Sequence, residues 1–170
     1  MLDPFAGYGT TLIAAEAMGR VPYGIEFDVR RARYIRSLLQ HPANLIHGDT
    51  RKLLSYQLPP IDFSITSPPY MAAHDSDDPF TNYTQAGAGY AAYLRQLEQI
   101  YASIQQLLKP DARVVLEVAN LKDENGITTL AWDVARAVSN VLHFEGEVVV
   151  GWDRYGYGYD HSYCLVFRKP

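Results

Sequence analysis

From residue 2 to residue 119, short apolar runs alternate with longer helical ones, and this alternation restricts the fold more than any other feature of the chain. After a strand that ends at Asp3, "YGIEF" at 23–27, "NLIHG" at 44–48, "DFSIT" at 62–66 and "RVVLEVA" at 113–119 read as strands. Between them, helical periodicity runs through Thr10–Met18, from about Asp28 to Gln40, through Tyr90–Leu108, and again near 127–141. Strands separated by helices cannot close as hairpins, so the pattern predicts a mostly parallel sheet covered by helices on both faces. The end of the chain breaks the rhythm. "GEVVVGWDRYGYGYDHSYCLVFRK" holds two strand patterns joined by a Gly- and Tyr-rich turn, which predicts an antiparallel hairpin at the sheet edge. The expected class is α/β: a seven-stranded, mostly parallel sheet with a C-terminal antiparallel hairpin, in a single domain over residues 1–170.

Composition narrows the function classes. A net charge of −4 gives no overall attraction to nucleic acid, so such a partner needs a local basic patch. The lone Cys164 excludes an internal disulfide and a cysteine-based zinc site, and its apolar neighbours predict a buried thiol. The histidines form no pair at metal-ligand spacing, and "HDSDD" at 74–78 reads as a solvated loop, so no metal is expected. No apolar run reaches the roughly 20 residues that span a bilayer, and no basic flank precedes an apolar core at the start; a cytoplasmic location without membrane contact is the default expectation. The irregular stretch 71–89 exceeds the usual length of a structureless connection and reads as a substrate lid.

"LDPFAGYGTT" places Gly7 and Gly9 between a strand end and a helix start, where glycine permits a tight turn and close backbone approach to a ligand. Leu12 stands where a dinucleotide fingerprint has its third glycine, and no Gly-Lys-Ser/Thr follows, so a pyrophosphate ligand is disfavoured. Asp3 beside the turn suits an amine-bearing or cationic ligand. Glu26, at the end of the next strand, stands near where an acid binds ribose hydroxyls in this architecture. Alone, the glycines would only cap a turn; with Asp3 and Glu26 they imply a ligand with a ribose and an amine.

The strand "DFSIT" runs into Ser67, Pro68, Pro69 and Tyr70. Ligands of open α/β sheets sit beyond the carboxyl ends of strands, so "TSPPY" faces the glycine turn if the first and fourth strands are neighbours. Prolines lack backbone donors and hold φ near about −65°, so the pair forms a rigid edge of carbonyl acceptors. Ser67 adds a hydroxyl and Tyr70 an aromatic face. A flat ring carrying an NH2, such as an extruded nucleobase, matches all three; a proline turn with a packed tyrosine is the plain alternative.

"DPFAGYGTT" together with "TSPPY" resembles the S-adenosylmethionine-dependent amino-methyltransferases that modify an exocyclic amine in DNA. The resemblance implies a Rossmann-like methyltransferase fold and S-adenosylmethionine as cofactor. It implies cofactor-binding roles for Asp3, Phe5, Gly7, Gly9 and Thr10, for Glu26 in "GIEFD" on the ribose, and for Asp49 in "IHGDTR" on the adenine amine. Ser67, Pro68, Pro69 and Tyr70 take the catalytic segment, and Ser67 leans toward cytosine N4 over adenine N6. The implied mechanism is direct in-line attack of the amine on the sulfonium methyl, in the setting of DNA methylation and restriction-modification. An RNA base substrate, or a non-catalytic cofactor-binding subunit, would use the same motifs.

Three departures from that family shape further expectations. Ser-Pro-Pro-Tyr follows the glycine motif here, whereas most members with this serine form place it before. Met1 stands inside the first strand, so the chain reads as a fragment, as one with an incomplete start, or as one whose cofactor-covering segment comes from another copy or a partner subunit. No stretch of the sequence reads as a separate target-recognition domain, the 71–89 stretch being too small to read several base pairs by itself. Arg30, Arg31, Arg33 and Arg36 read as a solvated helix face, while Arg51, Lys52 and Arg154 read as flanking a substrate mouth. Trp152, Tyr155, Tyr157 and Tyr159 read as cross-strand packing with the capacity to stack bases.

Overall fold

The computed structural model describes residues 1–153 and 160–170. Arg154, Tyr155, Tyr157 and Tyr159 lie outside the described residues. The elements are β1 (Leu2–Asp3), α1 (Thr10–Ala17), β2 (Tyr23–Glu26), α2 (Val29–Arg36), β3 (Leu45–His47), β4 (Ile61–Thr66), α3 (Tyr90–Leu107), β5 (Leu108–Val118), β6 (Leu121–Asp123), β7 (Gly126–Thr128), α4 (Leu130–Val138), β8 (His143–Gly151) and β9 (His161–Arg168). The main sheet runs β3-β2-β1-β4-β5-β9-β8. Its first five strands pair in parallel, and β9 inserts antiparallel between β5 and β8, so the predicted architecture and terminal hairpin are met.

Helices cover both faces because successive side chains of a strand point opposite ways. On β2 a Cβ at Gly24 would run into Leu12 of α1 and Leu45, whereas Ile25 next to it belongs to the buried cluster that includes Leu97, Ile100 and Ile104 of α3. Accordingly α1 and α2 close a small cluster around Leu12, Ala32 and Ile35, and α3 and α4 close the larger one. Among the described residues no helix is long and apolar enough to cross a membrane.

Several boundaries differ from the sequence reading, each for a local reason. The second helix ends at Arg36, because the Glu16 carboxylate of α1 accepts the N–H groups of Gln40 (2.8 Å) and His41 (2.9 Å) and draws the chain out of the helix. The helix expected near 127–141 starts at Leu130, since residues 121–128 form the small hairpin β6–β7 and Asn120 Oδ1 accepts the Ala131 N–H at 3.0 Å. The stretch 71–89 is not structureless. Asp78 caps a 3-10 turn at Pro79–Thr81 by accepting the Phe80 N–H, an isolated bridge joins Asp77 to Ala86, and Pro79, Phe80 and Thr81 are buried. Cys164, expected to be buried, is half-buried opposite Glu117 on β5.

Candidate active site

The sheet order makes β1 and β4 neighbours, with Leu2 paired to Ser64, so the glycine turn and Ser-Pro-Pro-Tyr leave the same edge side by side. Between them opens a cavity of about 400 Å3 that reaches from Glu26 and Asp49 to Ser67–Tyr70. A cavity of this size falls in the range of small-molecule sites.

The glycine turn divides its labour. Gly7 (φ 57°) lines the cavity and donates its N–H to Glu26 Oε2 at 2.8 Å, while Glu26 Oε1 accepts the Asp28 N–H at 2.8 Å. Burial raises the Glu26 carboxyl, and these two donors act against that rise. Asp3, Gly9 and Thr10 do not stand on the cavity wall. Asp3 is buried beneath the turn, where its Oδ1 accepts the Phe5 N–H (3.0 Å) and the Thr66 hydroxyl (2.7 Å), so it ties β1 to β4 instead of facing a ligand. Thr10 is exposed at the start of α1. Gly9 (φ 82°) serves packing, because a Cβ there would stand 2.7 Å from Cγ2 of the fully buried Ile35. Gly9→Ala should therefore lower unfolding free energy by about 2 kcal/mol or more, read as a lower urea midpoint.

At the far wall, Asp49 holds an arginine latch. Its carboxylate accepts the Arg51 backbone N–H at 2.9 Å, and Arg51 Nη2 approaches Oδ2 at 2.7 Å; burial pushes the Asp49 carboxyl up, but these donors outweigh it and the net direction is down. Arg51 also reaches Asp78 (3.0 Å) and lies over the Phe80 ring at 5.9 Å, which pins the 71–89 stretch to the end of β3. Arg51 thus fastens a wall instead of standing free at a mouth. Arg31, read as solvated, lines the cavity with its guanidinium 5.0 Å from the Tyr8 ring, and Arg36 is spent on the Leu45 carbonyl at 2.9 Å.

Ser67, Pro68, Pro69 and Tyr70 all line the cavity, yet the acceptor edge is narrower than the prolines predict. Tyr93 donates to the Pro69 carbonyl at 3.0 Å and Tyr83 to the Tyr70 carbonyl at 2.7 Å. Pro69 is therefore a buttress, and the edge reduces to Ser67 and Pro68. Tyr70 is held by its hydroxyl, which accepts the Ala119 N–H at 3.0 Å and lies 3.4 Å from Glu117 Oε2.

Sequence reasoning missed Phe80, Tyr83, Arg31 and Glu117, all on the cavity wall. Phe5 stacks on Phe80 at 5.8 Å, and Phe80 on Tyr93 at 5.4 Å, an aromatic ladder joining the glycine turn to α3. The Asp-Pro pair before Phe80 was a usable signal, since Asp caps and Pro opens a short helix. Trp152 donates from Nε1 to the Ser162 hydroxyl at 2.9 Å, a hydrogen bond that joins the end of β8 to β9.

No protein-family model and no curated protein matches the chain. Solved structures do. TrmN from Thermus thermophilus superposes with a TM-score of 0.67 at 20% identity over 99% of this chain and 43% of its own. A methyltransferase from Methanosarcina mazei, S-adenosylmethionine-dependent, gives 0.66 at 11% identity over 99% of this chain and 91% of its own. The fold is that of S-adenosylmethionine-dependent methyltransferases. The methyltransferase fold is also matched by TTHA0409, a candidate DNA modification methylase from Thermus thermophilus solved with S-adenosyl-L-methionine, with a TM-score of 0.56 and 21% identity over 72% of this chain and 51% of its own. This chain thus spans less than half of TrmN and about half of TTHA0409.

Proposed function

We propose that the chain transfers a methyl group from S-adenosylmethionine to the exocyclic amine of a base in DNA, with cytosine N4 ahead of adenine N6. The observation that carries this reading is one cavity with two chemically different ends. Glu26, Asp49, Gly7 and Phe5 form the first; Ser67, Pro68 and Tyr70 form the second. The first end fits the cofactor. A carboxylate offers about four lone-pair sites, so Glu26 keeps acceptor capacity for ribose hydroxyls beyond the two N–H groups it already holds. Asp49 takes an adenine amine by giving up one of its contacts to Arg51. Phe5 and Phe80 supply apolar walls.

When bound, the cofactor supplies an electrophilic sulfonium methyl. At the second end Ser67 and the Pro68 carbonyl accept from the amine, which turns its lone pair toward that methyl, and the Tyr70 ring stacks on the base. No side chain has to form a covalent bond. Support for DNA comes from the likeness of "DPFAGYGTT" and "TSPPY" to the DNA amino-methyltransferases and from the structural likeness to TTHA0409. Ser67 supports cytosine.

The chain is incubated with methyl-labelled cofactor and, separately, DNA, structured RNA and protein, and the product is digested to nucleosides and identified by mass. Label in N4-methylcytosine is the expected result. Label in RNA alone overturns the DNA assignment, and cofactor binding without transfer to any substrate points to a non-catalytic subunit.

A further inference from the structure

Three carboxylates line the cavity, and two of them, Glu26 and Asp49, belong to its cofactor end. The third, Glu117, stands at the end that receives the amine. Parallel pairing of Thr66 with Leu116 brings the next residues of the two strands, Ser67 and Glu117, to the same sheet edge. Both line the cavity. The Glu117 carboxylate is half-buried, receives one long hydrogen bond from the Tyr70 hydroxyl (3.4 Å), and has no ion pair among the described residues. Among the described residues, the Tyr70 hydroxyl from the segment after β4 approaches it and Cys164 of β9 is paired opposite it; Glu26, Asp49, Arg31 and Tyr83 line the same cavity.

The chemistry of amine methylation leaves a proton to place. As the nitrogen lone pair forms the N–C bond, the C–S bond breaks and its electron pair stays on sulfur; the nitrogen then carries a positive charge and one hydrogen too many. Ser67 and the Pro68 carbonyl can accept hydrogen bonds but cannot hold a proton near neutral pH. The Tyr70 hydroxyl already receives the Ala119 N–H. A carboxylate at the same edge can do what these groups cannot.

We propose that Glu117 is a catalytic residue that takes this proton from the methylated nitrogen, leaving a neutral secondary amine, and then returns the proton to solvent. The assignment rests on the reading of the site given above and adds to it the group that completes the reaction. A proton acceptor of this kind contributes about 100-fold or more to rate.

The test uses single-turnover methyl transfer by the wild-type chain, Glu117→Gln and Glu117→Ala, with calorimetric cofactor affinity and a melting curve for each. Expected are a fall of about 100-fold in Glu117→Gln, cofactor affinity and melting like the wild type, and partial rescue of Glu117→Ala by added formate. A Glu117→Gln rate close to wild type overturns the proposal, as does a variant that is slow only because it melts early or loses cofactor affinity. A wild-type chain that binds cofactor yet transfers no methyl overturns the parent reading, and the proposal with it.

Discussion

Tyr70→Ala should lower turnover by about 100-fold while leaving cofactor affinity close to wild type, because base–aromatic stacking is worth about 1 to 3 kcal/mol and no cofactor-end group depends on this ring. The ring lines the cavity next to Ser67 and Pro68, the end proposed above to receive the amine. Tyr70→Phe separates the ring from the hydroxyl. It keeps the stacking face but strips the fully buried Ala119 N–H of its acceptor, so it should cost about 1 to 3 kcal/mol of stability and far less activity. Single-turnover rates, calorimetric cofactor affinity and urea midpoints on the two variants read all three effects. Loss of cofactor binding in Tyr70→Ala would place the ring at the wrong end of the site.

Asp3→Asn should stabilise the protein at pH 8 and leave it nearly unchanged at pH 4. Burial drives the Asp3 carboxyl up from its ordinary 3.8 to about 6, against the hydrogen bonds from Thr66, Phe5 and Thr11 and with a smaller push from the Glu26 charge. Between those two values the folded chain holds a proton that the unfolded chain has released, so stability falls as pH rises through this window and stays lower above it. At about 1.4 kcal/mol per pH unit, the full effect is about 3 kcal/mol. Asparagine keeps the acceptor oxygen for Phe5 and Thr66 and cannot ionise, so its stability profile should lack this decline. Urea unfolding of both proteins from pH 4 to 8 is the measurement. Parallel profiles would mean that Asp3 is charged in the folded state and that other contacts hold β1 to β4.

How legible the site was depended on where each residue's partners lie in the chain. Gly7 and Glu26 were readable because their signals are local: a turn glycine after a strand, and an acid at the end of the next one. Asp3 and Gly9 carried the same kind of signal but serve the scaffold. Asp3 points under the turn to Thr66 and Gly9 packs on Ile35, and neither relation is written in the neighbouring sequence. Pro69 looked like an acceptor because its own chemistry allows it; Tyr93, on a helix 24 positions away, claims that carbonyl. The β6–β7 hairpin was missed because strands of three residues with exposed Lys122 and Asp123 have no period to detect.

By itself, the sequence determined the layer order of the fold, the positions of its strand ends, and the two short motifs whose chemistry points to an amine and a nucleoside, since periodicity and turn chemistry act between residues close along the chain. Only the tertiary structure decided which strand ends meet. The pairing of β1 with β4 merged the two motifs into one cavity, and the pairing of β4 with β5 set Glu117 beside Ser67. Arg51 then fastened Phe80 into the opposite wall. Each of these contacts joins residues tens of positions apart, and they are selected by the burial of one common core, a property no local window contains.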